Sequence, residues 1–300
     1  MSDAIRLIVP YVQGGGSDQR ARLVARHLAT VLGEPVEVVN RTGAIVGHTA
    51  IAQAAPDGRT LGQISGEVGM MHWTPGLTTL TPADYTPLAV PFVEAAAVIV
   101  RQDAPWATLA EFVEHCRTHG IRGSGGPHFG VWKFALAGLL DRLGVDLARL
   151  DWVETYSGEQ GLAKVLDGHA EVAPITLTDA RGPLQAGQAR ALANLDTRRH
   201  ARFADVPTAR EALAVDWAVG HWRGIVAPAG LPPEITRHYV QALQQVAADS
   251  AFQEAARASS FTLDWRFGDD FARYMDEDDA MFGRVIRALG PRAGSASSLH

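Results

Sequence analysis

The chain has 300 residues, 47% of them hydrophobic and 20% charged, with 27 Lys and Arg against 33 Asp and Glu for a formal net charge of −6. That balance excludes disorder over most of the length and, by bulk electrostatics, a protein that tracks nucleic-acid phosphates. No window holds the roughly 18 uncharged apolar residues of a membrane helix, and the single Cys116 excludes an internal disulfide or a zinc site of several thiolates.

The first element is the β-branched run Ile5 to Val9, ended by Pro10 and followed by the glycine loop Gly14-Gly15-Gly16-Ser17-Asp18. From Gln19 to Leu32 the residues Leu23, Val24, His27, Leu28 and Val31 recur at helical spacing, and Gly33 supplies the stop. A strand over Glu34 to Asn40, a helix over Gly47 to Ala55, the turn Pro56-Asp57-Gly58 and a strand over Thr60 to Ser65 follow. The apolar stretch Val93 to Val100 reads as a strand, and Thr108 with Glu111 makes a capping box for a helix from Leu109 to His119. A second series repeats the plan. It comprises a strand and glycine loop over Gly120 to Gly126, a helix over Val131 to Leu143, a strand Asp151 to Val153, the loop Tyr156-Ser157-Gly158, a helix Glu159 to Leu166 and a strand Glu171 to Ile175. Gln188 to Leu195 and Gly224 to Val226 are further strands. From Pro232 to Leu289 the pattern is mainly helical, with Ile235, Tyr239, Leu243 and Val246 on one stripe, and Pro291 to His300 is a small polar tail. Strands alternating with helices predict an α/β protein with largely parallel sheets, whose ligands sit outside the carboxyl ends of strands.

Three consecutive glycines before a helix allow either an N–H concavity for a ligand or a turn capped by Ser17 or Asp18. The loop is no Walker motif and lacks the G-x-G-x-x-G spacing, which disfavours nucleotides. Gly123 to Gly130 is its counterpart in the second series; His128 there reads as an exposed loop residue, since no G-x-S-x-G elbow offers it a nucleophile. Trp222 and Trp132 either stack on a planar ligand or pack in the core. Asp276-Glu277-Asp278-Asp279 reads as a solvated helix face, and the 11 histidines form no metal motif. No catalytic residue, metal ligand or cofactor is expected.

In order and spacing, Ile8-Val9-Pro10-Tyr11 with Gly14-Gly15 and Asp18, Val39-Asn40-Arg41-Thr42-Gly43-Ala44, Ala55-Pro56-Asp57-Gly58-Arg59-Thr60-Leu61, Val206-Pro207-Thr208, and Trp222-Arg223-Gly224 with Ala227-Pro228-Ala229-Gly230 resemble the solute-binding proteins of tripartite tricarboxylate transporters, the Bug family. The resemblance runs from Ile5 to about Leu289. It implies an α/β, periplasmic-binding-protein-like fold of type II, the flytrap: two α/β domains joined by a hinge with the ligand cleft between them. Residues 1–100 with 221–300 would form the first domain and 101–220 the second. It further implies an extracytoplasmic protein, not an enzyme, that captures a small organic acid, whether a di- or tricarboxylate or an aromatic carboxylate, and delivers it to membrane transporter subunits. It would act as a monomer in the periplasm, Met1-Ser2-Asp3 being a start left after a leader is removed. Carried over by position, the first-domain contacts would be Tyr11, Gly14, Gly15, Gly16, Ser17, Asp18, Ser65 and Gly66. The second-domain contacts would be Ser124, Gly126, Trp132, Tyr156, Ser157 and Thr176. Three departures from the family pattern stand out: Trp132 replaces a common histidine, Ile175 an aspartate, and Gly16-Ser17 a Ser-Thr pair. They make the second wall more apolar and predict a bulkier or aromatic acid rather than an amino acid, whose ammonium wants a carboxylate partner. The alternative is an enzyme or effector-sensing module on the same fold, which a nucleophile–base pair or a helix-turn-helix before Ile5 would mark; neither is visible.

Overall fold

The computed structural model describes residues 4–74 and 76–290; the tail Pro291 to His300 and the Met1-Ser2-Asp3 start lie outside the described residues. In chain order, β1 (Ile5–Val9) leads through α1 (Gly16–Leu32) to β2 (Val36–Asn40), then α2 (Ala44–Ala52), β3 (Thr60–Ser65), the short α3 (Val68–Met71) and β4 (Tyr85–Arg101). Helix α1 starts three residues earlier than its apolar periodicity predicts. Its N-cap is Gly15 in an extended conformation with no capping side chain, so the glycines themselves open the helix. Helix α2 also starts early, and Gly47 within it is required by close approach: a Cβ there would lie 2.6 Å from the Cα of Pro10. Strand β4 extends N-terminally of the expected strand, from Tyr85 through Phe92, a stretch that carries Pro87 and Pro91.

The second series follows as α4 (Leu109–Thr118), β5 (Ile121–Ser124), α5 (Val131–Arg142), β6 (Leu150–Val153), α6 (Gly158–Leu166), β7 (Val172–Thr176), α7 (Arg181–Gln185), β8 (Ala189–Asn194) and α8 (Ala209–Leu213). The predicted capping box of α4 is present, with the Glu111 N–H donating to Thr108 Oγ1 and the Thr108 N–H donating to Glu111 Oε2. The chain ends on β9 (Gly220–Pro228), α9 (Pro233–Ala248), α10 (Ser250–Ala258), β10 (Leu263–Phe267) and α11 (Asp269–Leu289). Strand β10 interrupts a stretch expected to be helical, because Leu263, Trp265 and Phe267 pack against the core cluster that includes Phe92 and Phe252.

These elements form two compact units, residues 4–93 with 222–283 and residues 94–221 with 284–290. Two features set the bounds of these units. Residues 96–101 of β4 pair with β7 and β8 and so join the second unit's sheet. The end of α11 joins that unit too, Val285 lying beside Gly138 of α5. In the first unit β1 lies between β2 and β3, all parallel, and β9 runs antiparallel to β3. Leu7 faces a core with Val24, Leu28, Leu243 and Phe252, while its neighbour Ile8 faces a second one with Ile51, Ile64, Trp222 and Phe271, the alternation a sheet covered on both faces requires. Trp222 is thus a packing residue, 2% exposed and edge-on to Phe271, rather than a stacking platform. In the second unit β5 runs parallel to β6 and β7, and β4 pairs antiparallel with β7 and β8.

No helix among the described residues is long and apolar enough to cross a membrane.

Candidate functional site

In the first unit β1 and β3 end, and β9 begins, at one edge of the sheet. The antiparallel pairing puts Ser65 in register with Arg223. The Arg223 guanidinium donates from Nε to Ser17 Oγ at 2.6 Å and from a terminal nitrogen to the Trp222 carbonyl at 2.9 Å. It also lies 4.9 Å from the centre of the Tyr11 ring, a cation–π distance. The Tyr11 hydroxyl lies 2.8 Å from Ser65 Oγ and 3.1 Å from Glu67 Oε2. Burial and the neighbouring Glu67 charge push the Tyr11 phenol above its ordinary value, so it stays protonated and donates. Glu67 experiences opposing forces. Burial favours its neutral form, but His48, Arg223 and the Tyr11 hydroxyl outweigh that and hold it below the ordinary carboxylate value, hence ionised. His48 is fully buried, its Nε2 3.5 Å from Glu67 Oε2. This edge therefore gathers a guanidinium, a carboxylate and a phenol at the first turn of α1, where free N–H groups and the helix dipole add positive potential.

Of the residues the sequence nominates here, Tyr11, Ser17 and Ser65 stand in this cluster. Asp18 stands beneath it. It is 1% exposed, and its carboxylate accepts from the Gly14 N–H at 2.8 Å, Arg22 Nε at 2.8 Å and Asn40 Nδ2 at 2.9 Å. Asp18 thereby braces the glycine loop, with Gly14 held at a φ of +81° that a side chain would strain. Despite the burial penalty, the Arg22, Gly14 and Asn40 hydrogen bonds hold its pKa below the ordinary carboxylate value. That stability is present above the unfolded carboxylate's pKa and lost as pH falls through the lower folded one. Asp18→Ala removes the one acceptor that ties the Gly14 N–H, Arg22 and Asn40 together and is expected to cost about 2 kcal/mol, read as a lower melting temperature at pH 7 with the difference from wild type shrinking toward pH 3. Gly66 lies where a Cβ would sit 3.1 Å from Asp278 Oδ2 and 3.3 Å from Trp222 Nε1, so its backbone rests on that buried pair.

Only the first half of the acidic run on α11 is a solvated face: Asp276 and Glu277 are exposed, while the other two carboxylates are engaged. Asp278 is 6% exposed and accepts the Trp222 indole N–H at 2.9 Å. Asp279 accepts the Trp73 indole N–H at 2.9 Å and pairs with His72. Asp278 thus fastens β9 to α11 and Asp279 the segment after β3, a tertiary use that a run of like charges does not reveal in sequence.

In the second unit Ser124 ends β5 and donates its hydroxyl to the Val153 carbonyl at 2.8 Å. Ser157 caps α6 by accepting the Gln160 N–H, and Thr176 Oγ1 accepts the Asp179 N–H at 2.9 Å. Gly126, at a φ of +146°, turns the loop so that its carbonyl accepts the Thr155 N–H and the Trp152 indole N–H. Trp132 packs over Gly125 and Gly126, edge-on to His221 with ring centres 5.7 Å apart. Tyr156 is 93% exposed beside Ser157. Three of these side chains thus already serve the loops' own hydrogen bonds. Gly161 of α6 lies against Gly125, where a Cβ would collide with backbone. Gly161→Ala is expected to destabilise this unit by about 3 kcal/mol, measured as a lost or lowered thermal transition.

A separate cavity of about 830 Å³ in this unit is lined by Lys133, His128, Trp152, Val145, Leu150 and three aspartates, Asp141, Asp146 and Asp151. Lys133 Nζ lies 2.6 Å from His128 Nε2, and burial pushes its ammonium down to about 8. Three carboxylates around one lysine disfavour an anionic occupant, and none of the nominated residues lines this cavity.

The sequence nominates neither Arg223 nor Glu67 as a contact. Arg223 stands out only as part of a motif, and its meeting with Tyr11 and Ser17 depends on a strand pairing across about half the chain.

The family model of the tripartite tricarboxylate transporter family receptor, TctC, matches residues 20–291. The chain belongs to this receptor family. The receptor is 28% identical over 297 residues to a UPF0065 protein of Bordetella pertussis, a match covering 96% of this chain and 90% of that one. Among solved structures it is similar to a TctC solute-binding protein from Polaromonas, with a TM-score of 0.86 at 27% identity over 95% of this chain and 98% of that one. It shares the fold of MatC from Rhodopseudomonas palustris with bound malate, with a TM-score of 0.75 at 24% identity over 94% and 98% of the two chains. The periplasmic-binding-protein-like α/β fold, the Bug-type identity and a receptor role in transport thus stand together.

Proposed function

We propose that this receptor captures a small organic acid and that the acid's carboxylate is taken by the Arg223 edge of the first unit. The observation that carries the reading is the Arg223 guanidinium fixed on Ser17 at the N-terminus of α1 and over the Tyr11 ring. A charge held by its own hydrogen bonds needs no rearrangement to meet an anion, and an arginine suits the planar carboxylate group. The family's receptor role and the malate held by MatC, which shares the fold, support an acid as the class to test first. In this reading Ser124, Gly126, Trp132, Tyr156, Ser157 and Thr176 of the second unit are ligand contacts as well. The receptor acts as a monomer in the periplasm, hands its cargo to transporter subunits in the membrane and performs no catalysis.

Native mass spectrometry of the receptor as purified tests this. The expected result is an adduct of a few hundred daltons or less that leaves on denaturation and fragments as a carboxylic acid. A captured nucleotide, sugar or metal ion instead would contradict it.

A further inference from the structure

Glu67 sets a demand on the ligand that Arg223 alone does not. The two groups flank one aromatic ring: Arg223 lies against the face of Tyr11 and Glu67 accepts from its hydroxyl. A carboxylate paired with Arg223 therefore approaches an ionised glutamate within about a ring's length. Glu67 Oε2 is engaged by Tyr11 and backed by His48, but its Oε1 accepts no hydrogen bond among the described residues, and a third of the side chain is exposed. An acid that carries only carboxylates would meet like charge there and leave that oxygen without a donor, whereas a donor beside the carboxylate would satisfy it.

We infer that the ligand carries a hydrogen-bond donor, a hydroxyl or an ammonium, next to the carboxylate that Arg223 takes, and that Glu67 is the residue selecting for it. The inference rests on the carboxylate reading above and refines it. It also alters the expectation drawn from Ile175 and Trp132, since the partner an ammonium wants is supplied by the first unit rather than the second. Glu67 then works in two directions, attracting acids with a donor and repelling those without, which is how discrimination between similar ligands is commonly built.

The test is isothermal titration of the full receptor with two matched series: succinate, malate and aspartate, and 3-phenylpropanoate, 3-phenyllactate and phenylalanine. In the series that binds, a hydroxy or amino member is expected to bind at least about 10-fold more tightly than its unsubstituted parent. Glu67→Gln identifies the donor. The amide keeps an acceptor but no charge, so a hydroxy acid loses only a few-fold while an amino acid loses about 100-fold, and the unsubstituted parent gains. The ratio of two affinities on one preparation does not depend on the fraction folded, and the wild-type comparison needs no variant at all. Parents binding as tightly as their substituted partners, or ratios unchanged by Glu67→Gln, would overturn the role of Glu67 while leaving the carboxylate reading intact. No binding by any of the six acids would contradict the carboxylate reading, and this inference falls with it.

Discussion

Replacing Arg223 by methionine is expected to lower the affinity for the best-bound acid on the order of 100-fold, the usual scale for removing one partner of a hydrogen-bonded charge pair. Methionine keeps an apolar stem against Tyr11, so the near-ultraviolet circular dichroism of the first unit should be unchanged. Arg223→Lys keeps the charge but cannot both bond Ser17 and lie flat over the Tyr11 ring, and an intermediate loss of roughly 10-fold is expected. Calorimetry on the three proteins checks this. A methionine variant binding within two-fold of wild type would show that the ligand's charge is met elsewhere.

The second large effect concerns Asp278. Burial, with a smaller push from Asp279 and against the pull of the Trp222 N–H, raises its pKa from 3.8 to about 8. The folded state thus holds a proton at neutral pH that the unfolded chain releases. By linkage, stability is fully present below the unfolded value and is lost as pH rises through the folded one, at up to about 1.4 kcal/mol per pH unit from this group alone. Asn in place of Asp278 keeps an oxygen for the Trp222 indole and has nothing to ionise. Asp278→Asn is therefore expected to match or fall slightly below wild type at pH 4 and to melt on the order of 10 °C higher at pH 9. Thermal unfolding across that range, read as the difference between the two proteins, cancels the other titrations. A difference independent of pH would mean that Asp278 is ionised in the fold. Because Gly66 rests on this pair, the wild-type segment after β3 should also become more open to hydrogen exchange at pH 9.

The elements the sequence shows best are those whose signals are local. The β-branched run of β1, the Thr108–Glu111 capping box and the Gly33 stop depend on neighbours within a few residues, and all appear where periodicity and capping place them. What was hidden depends on distant chain. The first half of β4, which carries two prolines, falls in no predicted element, and β10 is visible only through its packing on Phe92 and Phe252. Asp278 looks like part of a solvated acidic run until Trp222, 56 residues earlier, is placed against it. The glycine loop was legible as a site candidate, whereas Arg223 and Glu67 were not. The first needs the β3–β9 register, and the second lies next to a nominated pair, Ser65-Gly66, with nothing local to set its charge apart from other surface carboxylates. Asp18 shows the converse. Its place in the loop motif draws attention as a contact, while its three hydrogen bonds make it a brace.

The claim that the Arg223 edge recognises a carboxylate is tested most directly by titrating the receptor with the acid it binds best and with that acid's primary amide, which matches it in size but carries no charge. The expected result is an amide at least about 100-fold weaker on wild type and a difference reduced to a few-fold on Arg223→Met. Equal binding of acid and amide to wild type, or a preference that survives the loss of Arg223, would contradict it.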